Sequence, residues 1–203
     1  MGGAIGGFVE ETIRSFGLWG VAGLMLLENL FPPIPSELVL TLAGFFVSRG
    51  ALGFAGALLA ATVGSLLGAF VLYGLGRLGG RPLVLRYGSL LRVKQSDLDR
   101  ADGWFHRHGG WMVFLGRLLP GVRSLVSIPA GVSEMPLGQF TLLTASGTAL
   151  WNALLIGAGW YLGENWQRVV GLVGSVSNVV LAVALAAAVG LAVRWWRRKR
   201  VRG

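Results

Sequence analysis

The chain has 203 residues, of which 54% are hydrophobic and only 13% are charged, and its formal net charge is +9. This composition is too apolar for an ordinary soluble domain and indicates a small integral membrane protein with a single membrane domain, residues 1–203. The absence of cysteine excludes disulfide bonds and thiolate metal sites. Because the basic residues flank apolar segments, membrane orientation explains the positive charge better than nucleic-acid binding does.

The N-terminal part of the chain is polar at first and then becomes apolar but broken. Residues 8–19 could form a short amphipathic helix in the membrane interface, or a frayed polar N-terminus. Residues 21–48 are interrupted by Pro32, Pro33 and Pro35, and each apolar arm has only about ten residues, half the length of a transmembrane helix. The segment is therefore predicted to form a first re-entrant hairpin.

The middle of the chain repeats this order of elements. Residues 51–76 carry no charge and are predicted to form a transmembrane helix. A polar loop follows at 77–108; its aspartates and histidines could bind a metal, but solvated interfacial side chains are the ordinary explanation, and no metal site is expected. Residues 109–133 are broken by Pro120 and Pro129 and are predicted to form a second re-entrant hairpin.

The C-terminal part is predicted to contain two further transmembrane helices, at 135–163 and 169–193, and a basic tail at 194–203. The 77–108 loop and the tail together hold thirteen of the eighteen Lys and Arg residues. Since such residues concentrate in cytoplasmic loops, both segments are predicted to be cytoplasmic. The N-terminus would then lie outside, and the two hairpins would enter from opposite sides.

Local matches between the two halves favour an inverted repeat. Residues 32–36 align with 120–124, and residues 43–44 align with 130–131. Broken apolar segments at corresponding places in two halves are typical of transporters with a site near the membrane midplane. The predicted fold class is an all-α membrane protein with two opposed re-entrant hairpins, each followed by a transmembrane helix, and a C-terminal transmembrane helix.

Four ionisable side chains lie within the predicted hairpins: Glu28 and Glu37 in the first, Arg117 and Arg123 in the second. Charges at membrane depth are costly and usually face a cavity or a partner. Arginine matches phosphate with a planar fork of donors, so the pair is a candidate phosphate site. Burial disfavours the charged form of a carboxylate, so either glutamate could carry a proton. Alternatively, the four residues pair only to hold the hairpins together.

Two stretches carry a resemblance to a known family. E-N-L-F-P-P-I-P-S-E at 28–37 and G-R-L-L-P-G-V-R-S-L-V-S-I-P-A-G at 116–131 resemble the signatures of the DedA family, also called the SNARE-associated or VTT-domain family. The resemblance implies opposed re-entrant hairpins and movement of undecaprenyl phosphate or phospholipids such as phosphatidylethanolamine across the bacterial cytoplasmic membrane, coupled to protons.

By position, Arg117 and Arg123 match the paired arginines of the family, and Glu28 matches its first membrane acid. Glu37 matches a second acid that in some members is Asp within a slightly longer P-G-D version. Substrate assignments from those longer members therefore transfer less safely to this chain.

The resulting hypothesis is a multi-pass flippase for undecaprenyl phosphate with lipid and protons as partners, no cofactor, no enzymatic activity and a cytoplasmic C-terminus. The alternatives are a phospholipid flippase or scramblase and a non-transporting membrane scaffold. No Ser-His-Asp arrangement, P-loop or H-E-x-x-H motif is present. Glycine-rich helix faces would permit a homodimer without requiring one.

Overall fold

A computed structural model describes residues 2–31, 35–80, 109–120 and 122–163 of the chain. The predicted all-α fold is confirmed for this part of the chain. Its helices, in chain order, are α1 (Gly2–Leu30), α2 (Ser36–Ser48), α3 (Phe54–Leu75, continued by a π-helical turn at Gly76–Gly80), α4 (109–117), α5 (Ser127–Val132) and α6 (Leu137–Leu162).

Several predicted segments lie outside the described residues. They are most of the polar loop at 77–108, the predicted transmembrane helix at 169–193, the basic tail at 194–203, and two hairpin prolines, Pro32 and Pro33.

Two of the described helices are long and apolar enough to cross a membrane. They are Phe54–Gly79, which combines α3 with most of the π-helical turn, and α6, and each has 26 residues. At 1.5 Å per residue, a helix of this length reaches about 39 Å, which exceeds the hydrocarbon core of about 30 Å. Leu137–Leu162 lies within the span predicted at 135–163, and Phe54–Gly79 covers most of the span predicted at 51–76 and extends three residues beyond it.

The two faces of α3 differ in side-chain size. Its exposed face carries a large apolar side chain at every fourth position, and these side chains are between 47% and 66% exposed: Leu59, Val63, Leu67, Val71 and Leu75. Its buried face carries small residues, including Ala57, Ala61, Gly64, Gly68 and Ala69. Large apolar side chains outside and small residues at helix contacts are typical of a helix surrounded by lipid.

A bend in α1 separates its N-terminal part from the first broken segment. At Gly17 the backbone has φ 55° and ψ −127°, a conformation that glycine adopts readily and other residues rarely do. The predicted amphipathic stretch at 8–19 is helical, and the bend lies two residues before its end. The remainder of α1, residues 18–30, then packs along α3.

The second arm of each broken segment is a short helix. α2 has 13 residues and α5 has six, so neither reaches across a hydrocarbon core. α2 begins directly after Pro35, and its residues from Ser36 to Gly44 are all buried. Pro120 lies in the turn after α4, whereas Pro129 lies in the first turn of α5, where a missing backbone N–H breaks no helical hydrogen bond.

Glycines allow the backbones of α2 and α6 to come into direct contact. A Cβ atom on Gly44 would lie 2.9 Å from the Cα atom of Gly159 and even closer to the carbonyl oxygen of Ile156. A Cβ atom on Gly159 would in turn overlap the carbonyl oxygen of Thr41. The two helices therefore pack backbone against backbone, and a side chain at either glycine would force them apart.

The contact between α5 and the end of α3 is built in the same way. A Cβ atom on Gly131 would overlap the carbonyl oxygen of Tyr73 and lie 2.8 Å from the amide nitrogen of Arg77. A Cβ atom on Gly76 would overlap the carbonyl oxygen of Ile128. Each short arm thus packs against the long helix of the other half of the chain.

Replacement of Gly44 by alanine should test the first of these contacts. We expect Gly44→Ala to lower the free energy of unfolding by about 1–3 kcal/mol, because the new methyl group must displace the backbone of α6. Gly157→Ala is the matched control, since a Cβ atom there meets nothing within 4 Å. The control should be neutral or stabilising by up to about 1 kcal/mol through helix propensity. Thermal unfolding in detergent measures both, and equal midpoints would contradict the packing described here.

Candidate functional site

A buried ion pair joins the two broken segments. Glu28 lies in the last turn of α1, and Arg123 lies in the turn between α4 and α5. The Nη2 group of Arg123 donates a hydrogen bond to Oε2 of Glu28 at 2.6 Å. The two residues are only 7% and 4% exposed. Each side chain therefore supplies the counter-charge that makes burial of the other tolerable.

Arg117 lies beside this pair and is buried more completely. It is the last residue of α4 and is 2% exposed. Its Nη2 group donates to Oγ of Ser127 at 2.6 Å, and its Nη1 group donates to Oδ1 of Asn29 at a longer 3.4 Å. Its Nε group has no acceptor among the described residues. The guanidinium is thus positioned by hydrogen bonds from its two Nη groups, and its Nε–H group remains available as a donor.

Asn29 connects the two arginines. Its Nδ2 group donates to Oε2 of Glu28 at 3.2 Å and to the carbonyl oxygen of Met25 at 3.0 Å, while its Oδ1 atom accepts from Arg117. We call the set Glu28, Asn29, Arg117, Arg123 and Ser127 the arginine network. All of its members are buried, and they come from the end of α1, the end of α4, the following turn and the start of α5.

Two glycines of the long helices make room for this network. A Cβ atom on Gly68 of α3 would lie 2.5 Å from the Cβ atom of Asn29, and one on Gly147 of α6 would lie 2.8 Å from the Cβ atom of Arg117. Asn29 and Arg117 therefore each lie where their helix packs on a glycine of a long helix. The geometry of the network depends on α3 and α6 as well as on the broken segments.

The network has more positive than negative groups. It contains two guanidinium groups and one carboxylate, in surroundings where few water molecules can screen their charge. A planar guanidinium with free donors binds phosphate and carboxylate oxygens well. The arrangement can therefore accept a further anion, either beside Glu28 or in its place.

Glu37, the fourth predicted site residue, is also buried. It lies in the first turn of α2 and is 7% exposed. It makes a polar or electrostatic contact of its own. Hydrogen bonds thus join Glu28, Arg117 and Arg123 through Asn29 into one network, and Glu37 lies at the start of the neighbouring short helix.

Asn29 and Ser127 are functional candidates that the sequence analysis missed. Both stand inside the quoted motifs, next to or near charged residues, but neither carries a charge that demands explanation in an apolar segment. One signal could have identified Asn29. It lies 88 residues before Arg117, the same offset that aligns the two halves, and the two residues contact each other.

Within the described ranges, no group of three or more His, Asp or Glu side chains could hold a metal ion. The predicted metal alternative concerned the 77–108 loop, most of which lies outside these ranges.

Comparisons with known proteins identify relatives along most of the chain. A family model described as the VTT domain matches residues 34–161. A Lactococcus lactis subsp. cremoris protein named "Alkaline phosphatase-like protein" is 43% identical over 86% of this chain and 84% of its own length. Two proteins named "Undecaprenyl phosphate transporter A", from Bacillus subtilis and Staphylococcus aureus, are each 34% identical. These alignments cover 89% and 96% of this chain and 91% and 98% of the relatives. No solved structure matches.

Replacement of Ser127 by alanine should show whether the arginine network stabilises the fold. Loss of the hydroxyl leaves a buried donor of Arg117 without its short hydrogen bond, so we expect the free energy of unfolding to fall by about 1–3 kcal/mol. Ser146→Ala is the matched control, because this exposed α6 serine bonds only the carbonyl oxygen of Leu143. The control should change stability by less than about 0.5 kcal/mol. Equal unfolding midpoints in detergent would argue against the Arg117–Ser127 bond.

Proposed function

The chain belongs to the VTT-domain (DedA) family of membrane proteins, and we propose on that premise that it is a proton-coupled flippase for undecaprenyl phosphate. The names of two relatives, both undecaprenyl phosphate transporters, support a role in membrane lipid transport. The single observation that carries the proposal is the buried network in which Arg123 bonds Glu28 directly and Arg117 is linked to Glu28 through Asn29. We place the protein in the bacterial cytoplasmic membrane with its C-terminus on the cytoplasmic side.

We infer that the two broken segments are opposed re-entrant hairpins related by an inverted repeat. The glycine contacts support this inference, because Gly44 packs on Ile156 and Gly159 as Gly131 packs on Tyr73 and the turn that follows it. Inverted repeats with broken helices are the usual architecture of transporters that bind substrate near the membrane midplane. The site would then lie where the tips of the two hairpins meet.

In the proposed site, Arg117 and Arg123 clamp the phosphate group of the lipid. Arg117 already has an unused Nε donor, and Arg123 would exchange the carboxylate of Glu28 for a phosphate oxygen. The N-terminus of α2 begins at Ser36, and the N-terminus of a helix favours anions. The polyprenyl chain would remain in lipid.

Protonation of Glu28 would couple this exchange to a proton gradient. A neutral Glu28 no longer holds Arg123, so a proton and a phosphate group would enter the site together. Moving one negative charge inward against an interior-negative potential of 100 mV costs about 2.3 kcal/mol. A proton carried on Glu28 or Glu37 cancels one such charge in each cycle, which favours recycling from the outer to the inner leaflet.

The name of the Lactococcus relative raises phosphate hydrolysis as another use of a phosphate site. We propose transport because the buried network holds its charges in arginine donors, which bind phosphate without attacking it. A phospholipid such as phosphatidylethanolamine also carries a phosphate group and could use the same clamp. Assays with each lipid, together with a measurement of released inorganic phosphate, separate these activities.

Replacement of Arg123 should slow transport in the protein that still folds and reconstitutes, beyond any loss that the unpaired Glu28 causes in stability. We expect Arg123→Ala to lower the rate of labelled undecaprenyl phosphate flipping in proteoliposomes at least tenfold, since a charge-assisted hydrogen bond contributes about 1.5–3 kcal/mol. Arg14→Ala is the matched control, because Arg14 is exposed on α1, and it should flip lipid at the wild-type rate. Reconstituted amounts and unfolding midpoints are compared for all three proteins.

Each outcome of that assay has a clear meaning. If the protein flips phosphatidylethanolamine but not the polyprenyl lipid, the proposed phosphate-binding role of the arginines stands and the substrate is a phospholipid. Movement of neither lipid by well-folded wild-type protein would reject the flippase and favour a membrane scaffold.

Proton coupling predicts a second result in the same proteoliposomes. An inward proton gradient should raise the wild-type flipping rate several-fold, and this stimulation should be lost in Glu28→Gln and Glu37→Gln. Glu10→Gln, on the exposed part of α1, should retain it. Stimulation that survives both buried substitutions would exclude these two residues as proton carriers.

A further inference from the structure

A row of polar side chains lies between α3 and α6, next to the arginine network but outside it. It comprises Thr62 and Ser65 of α3 and Thr144, Thr148 and Asn152 of α6, which we call the polar seam. On α6 the three residues follow one another at intervals of four, so they share one face of the helix. In an apolar protein such a row is a feature that neither packing nor the clamp explains.

Contacts along the two helices fix their register. Phe54 packs near Trp160 with ring centroids 5.9 Å apart, and Tyr73 stacks on Phe140 at 4.6 Å. Between these ring pairs, the Nδ2 group of Asn152 donates to Oγ1 of Thr62 at 3.3 Å. The helices therefore run antiparallel.

This register places Ser65 opposite Thr148, with Thr144 one turn further along α6. The aromatic pairs lie beyond the seam in both directions. The polar groups are therefore enclosed at both ends by rings.

Four polar atoms of the seam lack a hydrogen-bond partner among the described residues: Ser65 Oγ, Thr144 Oγ1, Thr148 Oγ1 and Asn152 Oδ1. Their residues are at most 3% exposed. Threonines elsewhere in this protein satisfy themselves differently, since Thr12 and Thr141 each donate to the backbone carbonyl four residues earlier. The seam hydroxyls do not do so. They are buried polar groups that destabilise this conformation and would gain partners only if a ligand or water entered.

The neighbourhood of the seam decides which ligand it would accept. Gly147 lies between Thr144 and Thr148, and it packs against the Cβ and Cγ atoms of the Arg117 side chain. A cation in the seam would be repelled by the nearby positive charge of Arg117, which makes a sodium or potassium site unfavourable. Hydroxyl groups can donate hydrogen bonds to an anion or exchange them with water. The seam therefore suits an anionic, hydrated group that has already met Arg117.

We propose that the polar seam is the path by which the phosphate headgroup passes Arg117, an inference that rests on the proposed lipid transport. α3 and α6 separate at the seam in another state of the cycle, and Ser65, Thr144 and Thr148 then donate hydrogen bonds to phosphate oxygens and to the accompanying water. In the state described here the seam is closed and its ring pairs cover both ends.

Removal of the hydroxyls without change of shape tests this path. The double variant Thr144→Val/Thr148→Val should flip labelled undecaprenyl phosphate at least tenfold more slowly than wild type, although loss of buried unpaired hydroxyls should leave the unfolding midpoint unchanged or higher. Thr141→Val, on the same helix but outside the seam, is the matched control and should flip at the wild-type rate. A double variant with unchanged flipping overturns the proposal.

Thiol labelling tests opening of the seam independently of lipid movement. Because the chain contains no cysteine, Ser65→Cys carries a single thiol. A charged, water-soluble thiol reagent should label it in proteoliposomes, and added undecaprenyl phosphate should change the rate. Leu67→Cys, whose native side chain is 49% exposed on the outer face of α3, should stay unreactive in lipid.

The labelling result also separates the two hypotheses. An unreactive Ser65→Cys shows a seam that stays dry and overturns the proposed path. If wild-type protein moves no lipid, the proposed transport fails. A reactive Ser65→Cys then still supports a hydrated path for an anion, and an unreactive one rejects it.

Discussion

Burial of Arg123 against Glu28 is the constraint on which the rest of the structure depends. An arginine inside an apolar protein needs a counter-charge, and here that counter-charge lies 95 residues earlier in the chain. The end of α1 and the turn after α4 must therefore meet. Once they meet, Asn29 and Arg117 are brought together as well, and the two broken segments become parts of one site.

The contacts around this site are of two kinds. Glycines join α2 to α6 and α5 to the end of α3 at backbone distance, so these pairs have little freedom to slide. Elsewhere the two halves meet through the ring pairs between α3 and α6 and through polar contacts: the ion pair, the bonds of Arg117, and the bond from Asn152 to Thr62. Polar contacts can be exchanged for water or for a ligand, whereas glycine packing cannot. The site is thus built from exchangeable contacts held between close-packed helices.

The sequence predicted the charged members of the site because a charge in an apolar segment is costly and needs a reason. It could not predict which partners they choose. Asn29 and Ser127 are neutral, and their selection by Arg117 depends on how α1, α4 and α5 meet in space. The unpaired hydroxyls of the seam could not be predicted from the sequence for a related reason. A threonine in an apolar helix usually bonds its own backbone, so nothing in the sequence of α6 marks Thr144 and Thr148 as different.

Charge balance links the clamp to the seam. While Glu28 holds Arg123, the network has one carboxylate for two guanidinium groups, and in the proposed cycle a phosphate group would supply the missing negative charge. Protonation of Glu28 in that cycle would increase the net positive charge and favour an anion further. On the proposed path, an anion that leaves Arg117 would next meet the unpaired hydroxyls of Thr144 and Thr148, because Gly147 between them packs on the Arg117 side chain. The group that neutralises the arginines is therefore the one that can satisfy the seam, and its arrival would favour separation of α3 from α6.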